Sequence, residues 1–572
     1  MLRASQGAHP LEVPARALRL ALPRPVDPKT VLVTDRGRGE LGSALVVDER
    51  GIPIPHRPRG HPVEARDRSL RARRSASSRA SPAANAGVAA RIPSSANRVR
   101  VETDIRRLLG RHPTRRAAND GQSLGRYLPP VSQAEDSRTL RAARRLSQEI
   151  GQRLGARFSI ELWDGSTVPL GPDVVPGLRM RIDGPGVLGS LLRRPTLTNL
   201  LGQYATGGLD LLGGDLIEFF EVVREKRSRA GYRTLRKREL LRAAIPLLLA
   251  PGRKALPSHG YAGDETGLAK DRRSESDFIR FHYDVGNDFY ALFLDPRMQY
   301  SCAYFTDWQG DLEQAQHDKL ELICRKLRLE PGEQLLDIGC GWGGLVCHAA
   351  AFHGVRAHGV TLSPEQAAFA KRRVAELGLE DRVTIEVKDY AELDGTFDKI
   401  SSIGMAEHVG IANLPAYFSK VRSLLRDRGV FLNHAITRRA KQSRRAFARI
   451  RPEQRLIKKY IFPGSELDHI GHSVAAMEAK GFEVHDVEGL REHYARTTRL
   501  WCQRLSAREE QAIAQVGRER YRLWVAYLAG VSFAFADGSL RIFQTVATKH
   551  KAKGPSGMPP TRAHLYRRPS EL

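Results

Sequence analysis

The stretch EQLLDIGCGWGGLVCHAAAFHG (residues 333–354) constrains the fold more than any other part of the chain. A short apolar run carries Asp337, glycines follow at 339, 341, 343 and 344, and a helix-like segment comes next. A strand that ends in a glycine-rich turn lets backbone N–H groups approach a nucleotide-like ligand, because glycine adopts the turn and has no side chain to hold the ligand off. Such a turn alone serves more than one chemistry. Its surroundings narrow the choice. Strand-like runs recur at VRAHGVTL, VTIEVKDY, FDKISSIGM and GVFLNHAI, with helical stretches between them. One of these helices opens with Ser363-Pro364-Glu365, a good N-cap and first turn. Alternating β and α elements predict an α/β chain with an open, mostly parallel sheet and a ligand at the strands' C-terminal ends.

The pattern favours a Rossmann-like class I S-adenosylmethionine methyltransferase sheet over a dehydrogenase. One position departs from it. Such enzymes usually hold the ribose hydroxyls with an acid at the end of the second strand, where this chain has Thr361. Gln366 is the nearest polar substitute, and Asp389 is placed to accept from an adenine amino group.

At 572 residues the chain has room for more than one core. Residues 138–250 read as a small α+β domain: a helix-like start, two strand-like runs around Asp164-Gly165, then leucines at helical spacing. Residues 251–277 read as a polar linker and 278–550 as the catalytic domain. Residues 551–572 read as a basic tail. The net charge of +28 is uneven, since residues 1–130 carry 24 Arg and one Lys against 11 acidic side chains. That segment lacks apolar periodicity, so 1–137 is expected to be a disordered basic tail, and no specific nucleic acid is expected as partner. The N-terminal stretch lacks the continuous apolar core of a signal peptide, and no run reaches the length of a membrane span. Five cysteines, at 302, 324, 340, 347 and 502, form no disulfide framework and favour a reducing cytoplasm. CHAAAFH (347–353) sets Cys and His at helical spacing, but no metal is expected.

FHYDVGNDFYALFLDPRMQYSCAYF, LEQAQHDKLELICRKL, LLDIGCGWGGL, GVTLSPEQ, GMAEHVG, LNHAI, KYIFPGSEL and REHYARTTRLW follow one another over roughly 275–550. Together they closely resemble the cyclopropane-fatty-acyl-phospholipid synthases and mycolic acid cyclopropane synthases. The resemblance implies that Tyr300, Ser301, Gly339, Thr361, Leu362 and Gln366 contact S-adenosyl-L-methionine. Asp337, Gly341, Asp389 and Tyr390 complete the expected cofactor set. It further implies that a bicarbonate ion is bound by the Cys302 main chain, Glu407, His434, the Ile436 backbone and Tyr494. Cys302 would then lend an N–H rather than act as nucleophile. Residues 138–250 resemble the lipid-associated domain of the phospholipid-acting branch.

The implied reaction is methylene transfer to the cis double bond of an unsaturated phospholipid acyl chain, closing a cyclopropane. The alternative is C-methylation without ring closure. An alkene that attacks a sulfonium methyl becomes a carbocation, so aromatic faces such as Tyr283, Phe305 and Tyr494 are wanted, each worth ~2 kcal/mol when desolvated. A base must then take a proton from the new methyl group, and Glu407 would orient the bicarbonate by accepting its O–H. The basic, apolar-interleaved segment 437–464 is expected to meet an anionic membrane surface. The expected setting is cytoplasmic and peripheral at the membrane's inner face, and a homodimer is allowed.

Overall fold

The structure, a computed structural model, describes residues 133–225, 237–255, 257–263, 272–283, 285–550 and 553–566. Of the expected tail over 1–137, residues 1–132 lie outside the described residues, and residues 133–137 belong to the helix Gln133–Leu154.

The N-terminal domain holds a four-stranded sheet of β1 (Ser159–Glu161), β2 (Thr167–Pro169), β3 (Arg179–Ile182) and β4 (Leu209–Leu212), in the order β2-β1-β3-β4. β1 and β2 form the hairpin expected at Asp164-Gly165. Gly165 takes a φ of 81° there, and Asp164 Oδ1 accepts from Ser166 N at 3.1 Å, which closes the turn locally. Behind the sheet, Phe158 and Phe219 meet with ring centroids 4.5 Å apart, in a core that includes Leu162, Leu170 and Leu247.

The larger sheet contains β5 (Gln334–Ile338), β6 (Arg356–Thr361), β7 (Val383–Val387), β8 (Phe397–Ile403), β9 (Leu425–Arg438), β10 (Phe482–Gly489) and β11 (Leu540–Lys549). Its order is β10-β11-β9-β8-β5-β6-β7. β5 through β9 are parallel, while β11 runs antiparallel between β9 and β10. This is the α/β class I methyltransferase arrangement. Chain order reverses between β5 and β8, so the loops leaving these two strands diverge and open a crevice at their C-terminal ends.

Local signals explain the helices around it. Gly343 and Gly354, both in the left-handed region, bracket the helix Gly344–His353. Ser363 accepts from Gln366 N at 3.3 Å and Pro364 occupies the first turn of the helix Pro364–Glu376, as expected. The helices Arg491–Ser506 and Arg518–Ala536 pack into the largest apolar cluster with Phe289, Tyr290, Trp501 and Trp524.

Two segments expected as linker and tail carry structure among the described residues. Helix Arg272–Tyr283 starts inside the expected linker and buries Phe278 and Ile279. Earlier linker residues are tied down as well: Arg253 N donates to Gly186 O at 3.1 Å, and Tyr261 N donates to Lys459 O at 2.8 Å. At the other end, residues 553–566 do not trail away from the domain. Arg328 donates to Gly557 O at 2.8 Å, and Arg562 pairs with Asp486 at 2.7 Å. No helix among the described residues is long and apolar enough to cross a membrane.

Candidate active site

The glycine turn leaves β5 and crosses toward β6, where Gly339 N and Cys340 N both donate to Val360 O at 2.9 Å. Gly339 has a φ of 80°, and a Cβ there would collide with the Met405 thioether, so the position admits glycine on both counts. Asp337 is buried beneath the turn and accepts from Ser401 Oγ at 2.7 Å. Burial pushes its carboxyl up to about 6.

A single cavity opens over this turn. Tyr300, Ser301, Asp337, Gly339 and Gly341 line it together with Thr361, Leu362, Gln366, Asp389 and Tyr390. The ten expected cofactor positions thus come together, although they span ninety residues of chain. Thr361 Oγ1 donates to Gln366 Oε1 at 2.9 Å, and the Gln366 side chain also hydrogen-bonds the Tyr283 phenol. Where an acid is usual, this chain presents neutral polar groups. Asp389 accepts from Ala391 N at 2.9 Å and caps the short turn Tyr390–Glu392.

Three further groups were not singled out in the sequence. Lys319, fully buried on the helix Leu312–Leu327, donates to Gln299 Oε1 and, at 2.9 Å, to Ser301 Oγ. Burial pushes its ammonium down to about 8, against the pull of Asp295, Cys302 and Asp337. Gln299 and His408 line the cavity, and burial pushes the His408 imidazole down to about 4. A lysine at helical spacing gives no local sign of burial, so Lys319 becomes visible only through its partners.

The second expected set lies just behind the cavity wall, next to residues that form it. Glu407 is 7% exposed, and its Oε1 accepts from Ile436 N at 2.6 Å. Its Oε2 is buried with no hydrogen-bond partner. Burial pushes the carboxyl up to about 7, with the Ile436 N–H opposing. His434, 1% exposed, lies two residues earlier on β9, and its Nδ1 is 3.4 Å from Nε2 of Gln544, its register partner on β11. His434 Nε2 is buried without a partner, and burial holds the ring well below its ordinary value, hence neutral.

Tyr494 stands in the first turn of helix Arg491–Ser506, its ring centroid 4.6 Å from Phe535, and burial pushes its phenol well up. Cys302 is fully buried and its thiol points at backbone carbonyls, 3.2 Å from Ala303 O and 3.7 Å from Leu490 O. Burial pushes the thiol well above its ordinary value, so it is a neutral packed group. Leu490 joins these elements: Tyr494 N donates to its carbonyl, and its own N–H donates to Ile542 O, opposite Ile436.

Of the three aromatic faces expected near the reacting carbon, Tyr283 lines the cavity. Phe305 is not among the residues that line it. The Arg496 guanidinium already lies 4.7 Å from its ring centroid and the His493 ring stacks at 6.1 Å, so this face is engaged within the protein.

The family model described as mycolic acid cyclopropane synthetase matches residues 270–545. A probable fatty acid methyltransferase of Pseudomonas putida is 38% identical over 418 residues, covering 73% of this chain and 98% of that protein. The chain belongs to the mycolic acid cyclopropane synthetase family. It is a methyltransferase of that family, whose methyl donor is S-adenosylmethionine. The cyclopropane-fatty-acyl-phospholipid synthase of Escherichia coli is 39% identical over 274 residues, covering 48% of this chain and 68% of that protein. Among solved structures of the family, the cyclopropane synthase MmaA2 from Mycobacterium tuberculosis matches with 33% identity and a TM-score of 0.46, over 48% of this chain and 98% of that one.

Proposed function

We propose that this family member transfers a methylene from S-adenosylmethionine to the cis double bond of an unsaturated phospholipid acyl chain, forming a cyclopropane. The observation that carries the reading is the pair of buried orphan atoms, Glu407 Oε2 and His434 Nε2, beside the Ile436 backbone. Buried polar groups are nearly always hydrogen-bonded, and each one left unmatched costs about 1–3 kcal/mol. An acceptor and an imidazole nitrogen left free among aromatic residues suit a small polar ion such as bicarbonate. When bound, that ion supplies a compact base for the methyl proton.

The chain's own residues do the rest in this reading. The ten cavity residues bind and orient the methyl donor. Glu407 and His434 hold the ion's orientation, and Tyr494 closes that side. Tyr283, Tyr300 and their aromatic neighbours exclude water and face a developing carbocation with π density. Cys302 contributes its backbone and its small size.

The acyl substrate requires docking at a bilayer, and we assign that to 437–464. Arg445, Arg449, Arg451, Arg455 and Lys459 are all exposed there, around an exposed Ile450. Each basic side chain near an anionic surface contributes about 1 kcal/mol. Replacing Arg445, Arg449 and Arg451 together with alanine is expected to weaken co-sedimentation with anionic vesicles on the order of 100-fold and leave zwitterionic vesicles nearly unaffected. Equal loss on both would remove the electrostatic role.

The test of the reaction is incubation with S-adenosylmethionine and cis-unsaturated phospholipid vesicles. The expected product has gained one CH₂ and shows ring-methylene protons by NMR. A branched methyl signal would favour the second reading, C-methylation without ring closure, which the name of the Pseudomonas putida relative supports. Methyl transfer to other acceptors with the lipid unchanged would overturn both.

A further inference from the structure

Away from the cofactor cavity, the helices Leu312–Leu327 and Gly344–His353 face each other across Glu321, Cys324, His348 and His353. One ligand atom each from Cys324, His348 and His353 lies within 4.8 Å of the other two, the one such group among the described residues. His353 Nε2 is 3.0 Å and His348 Nε2 is 3.4 Å from the same oxygen, Glu321 Oε2. Arg325 Nε occupies the other carboxylate oxygen at 2.8 Å. Cys324 is fully buried and His348 nearly so, while 18% exposure of the His353 side chain leaves a route from solvent.

Three donor atoms within 4.8 Å of one another are near enough to converge on one small cation by a short contraction. Metal–ligand bonds of about 2.0–2.3 Å in a tetrahedron set neighbouring donor atoms about 3.3–3.8 Å apart. One sulfur and two imidazole nitrogens suit zinc, whereas magnesium and calcium require mainly oxygen donors. We propose that Cys324, His348 and His353 form a structural zinc site, with Glu321 beside it holding the two imidazoles. The Cys324 thiolate and the neighbouring Glu321 carboxylate offset the two positive charges of the ion. Binding releases the Cys324 proton to solvent.

The position gives the site its role. Helix Gly344–His353 leaves the glycine turn at its N-terminus, where Trp342 and Leu345 line the cofactor cavity, and carries His348 and His353 toward its far end. Zinc would pin that far end to the helix Leu312–Leu327, which also carries Lys319. The site supports the cavity without entering it. The reading without a metal is a hydrogen-bonded cluster, with both imidazoles donating to Glu321 and Cys324 as packing alone.

The experiment uses the full chain, stripped with a chelator and titrated with cobalt(II), then zinc. One cobalt per chain is expected, with a thiolate-to-metal charge-transfer absorption that zinc displaces, and zinc should raise Tm. His353→Ala and Cys324→Ala, each checked for folding by circular dichroism, should abolish that absorption and weaken zinc binding on the order of 100-fold. Their loss also separates this site from any binding by histidines elsewhere in the chain. A cobalt spectrum of the unaltered protein without the thiolate band would overturn the proposal, whatever the variants do. So would unchanged zinc affinity in both folded variants.

Discussion

Burial pushes the Glu407 carboxyl up to about 7, and this makes activity and stability pull in opposite directions. The ionised form is the one that can accept a hydroxyl at Oε2, so turnover is expected to fall as pH drops below about 7. Glu407→Gln keeps the size and removes the charged acceptor, which should lower turnover ~10²–10³-fold, roughly 3–4 kcal/mol. Affinity for S-adenosylmethionine, measured by calorimetry, should stay within a few-fold, because the cavity residues are untouched. Stability runs the other way. The folded protein holds this proton more tightly than the unfolded chain, so the group's favourable contribution is complete below about 4.5 and is lost as pH rises through about 7. Above that point the Gln variant should be more stable than the parent, by on the order of 1–3 kcal/mol in urea titrations. A parent that matches the variant in stability at pH 8 would show that Glu407 is better solvated than its surroundings indicate. Glu407, His434 and Tyr494 could be picked from sequence because a family motif surrounds each. Gln544 could not, since it meets His434 only through a pairing 110 residues apart.

At the scale of elements, the five parallel strands were legible because strand-like runs alternate with helical stretches, one of them with a readable start at Ser363-Pro364. β10 and β11 were not read as strands. Their place is set by antiparallel pairing with β9, and nothing local announces that Leu540–Lys549 will insert between β9 and Phe482–Gly489. The contacts of the 251–277 segment were not legible for a similar reason: a polar composition says nothing of distant acceptors such as Lys459 O. Lys319 shows what such long-range placement does for the site. Its ammonium anchors Gln299 and Ser301, both on the cavity wall, to the helix Leu312–Leu327. Lys319→Met fills similar space but strands these partners, and each buried polar group left unmatched costs about 1–3 kcal/mol. The variant is expected to bind S-adenosylmethionine about tenfold more weakly and to unfold at lower urea. Unchanged affinity with lowered stability would make Lys319 a packing residue with no hold on the cavity.

At the scale of the molecule, the N-terminal domain and the catalytic sheet are joined by polar contacts as much as by apolar ones. Arg522, on the helix Arg518–Ala536, donates to Tyr204 O at 3.0 Å, Leu209 O at 3.2 Å and Asp210 Oδ1 at 2.9 Å. Phe220 meets Phe533 edge-on at 5.4 Å, and Glu221 pairs with Arg499. The same helix supplies Trp524 to the aromatic cluster, 5.4 Å from Phe289. The helix Arg518–Ala536 therefore links the N-terminal domain directly to the aromatic cluster. Arg522→Met keeps the side chain's apolar stem and removes its three hydrogen bonds; Tyr204 O keeps its bond from Gly207 N, so the loss falls on Asp210 and Leu209 O, at about 1–3 kcal/mol for each group left dry. Limited proteolysis should then cut between the two domains sooner than in the parent. Methyl transfer to vesicle lipid should drop several-fold while S-adenosylmethionine affinity holds, since the donor's contacts lie in the catalytic domain. If donor affinity falls in step with turnover, Arg522 is supporting the methyltransferase sheet itself, and the coupling between the N-terminal domain and the aromatic wall is wrong.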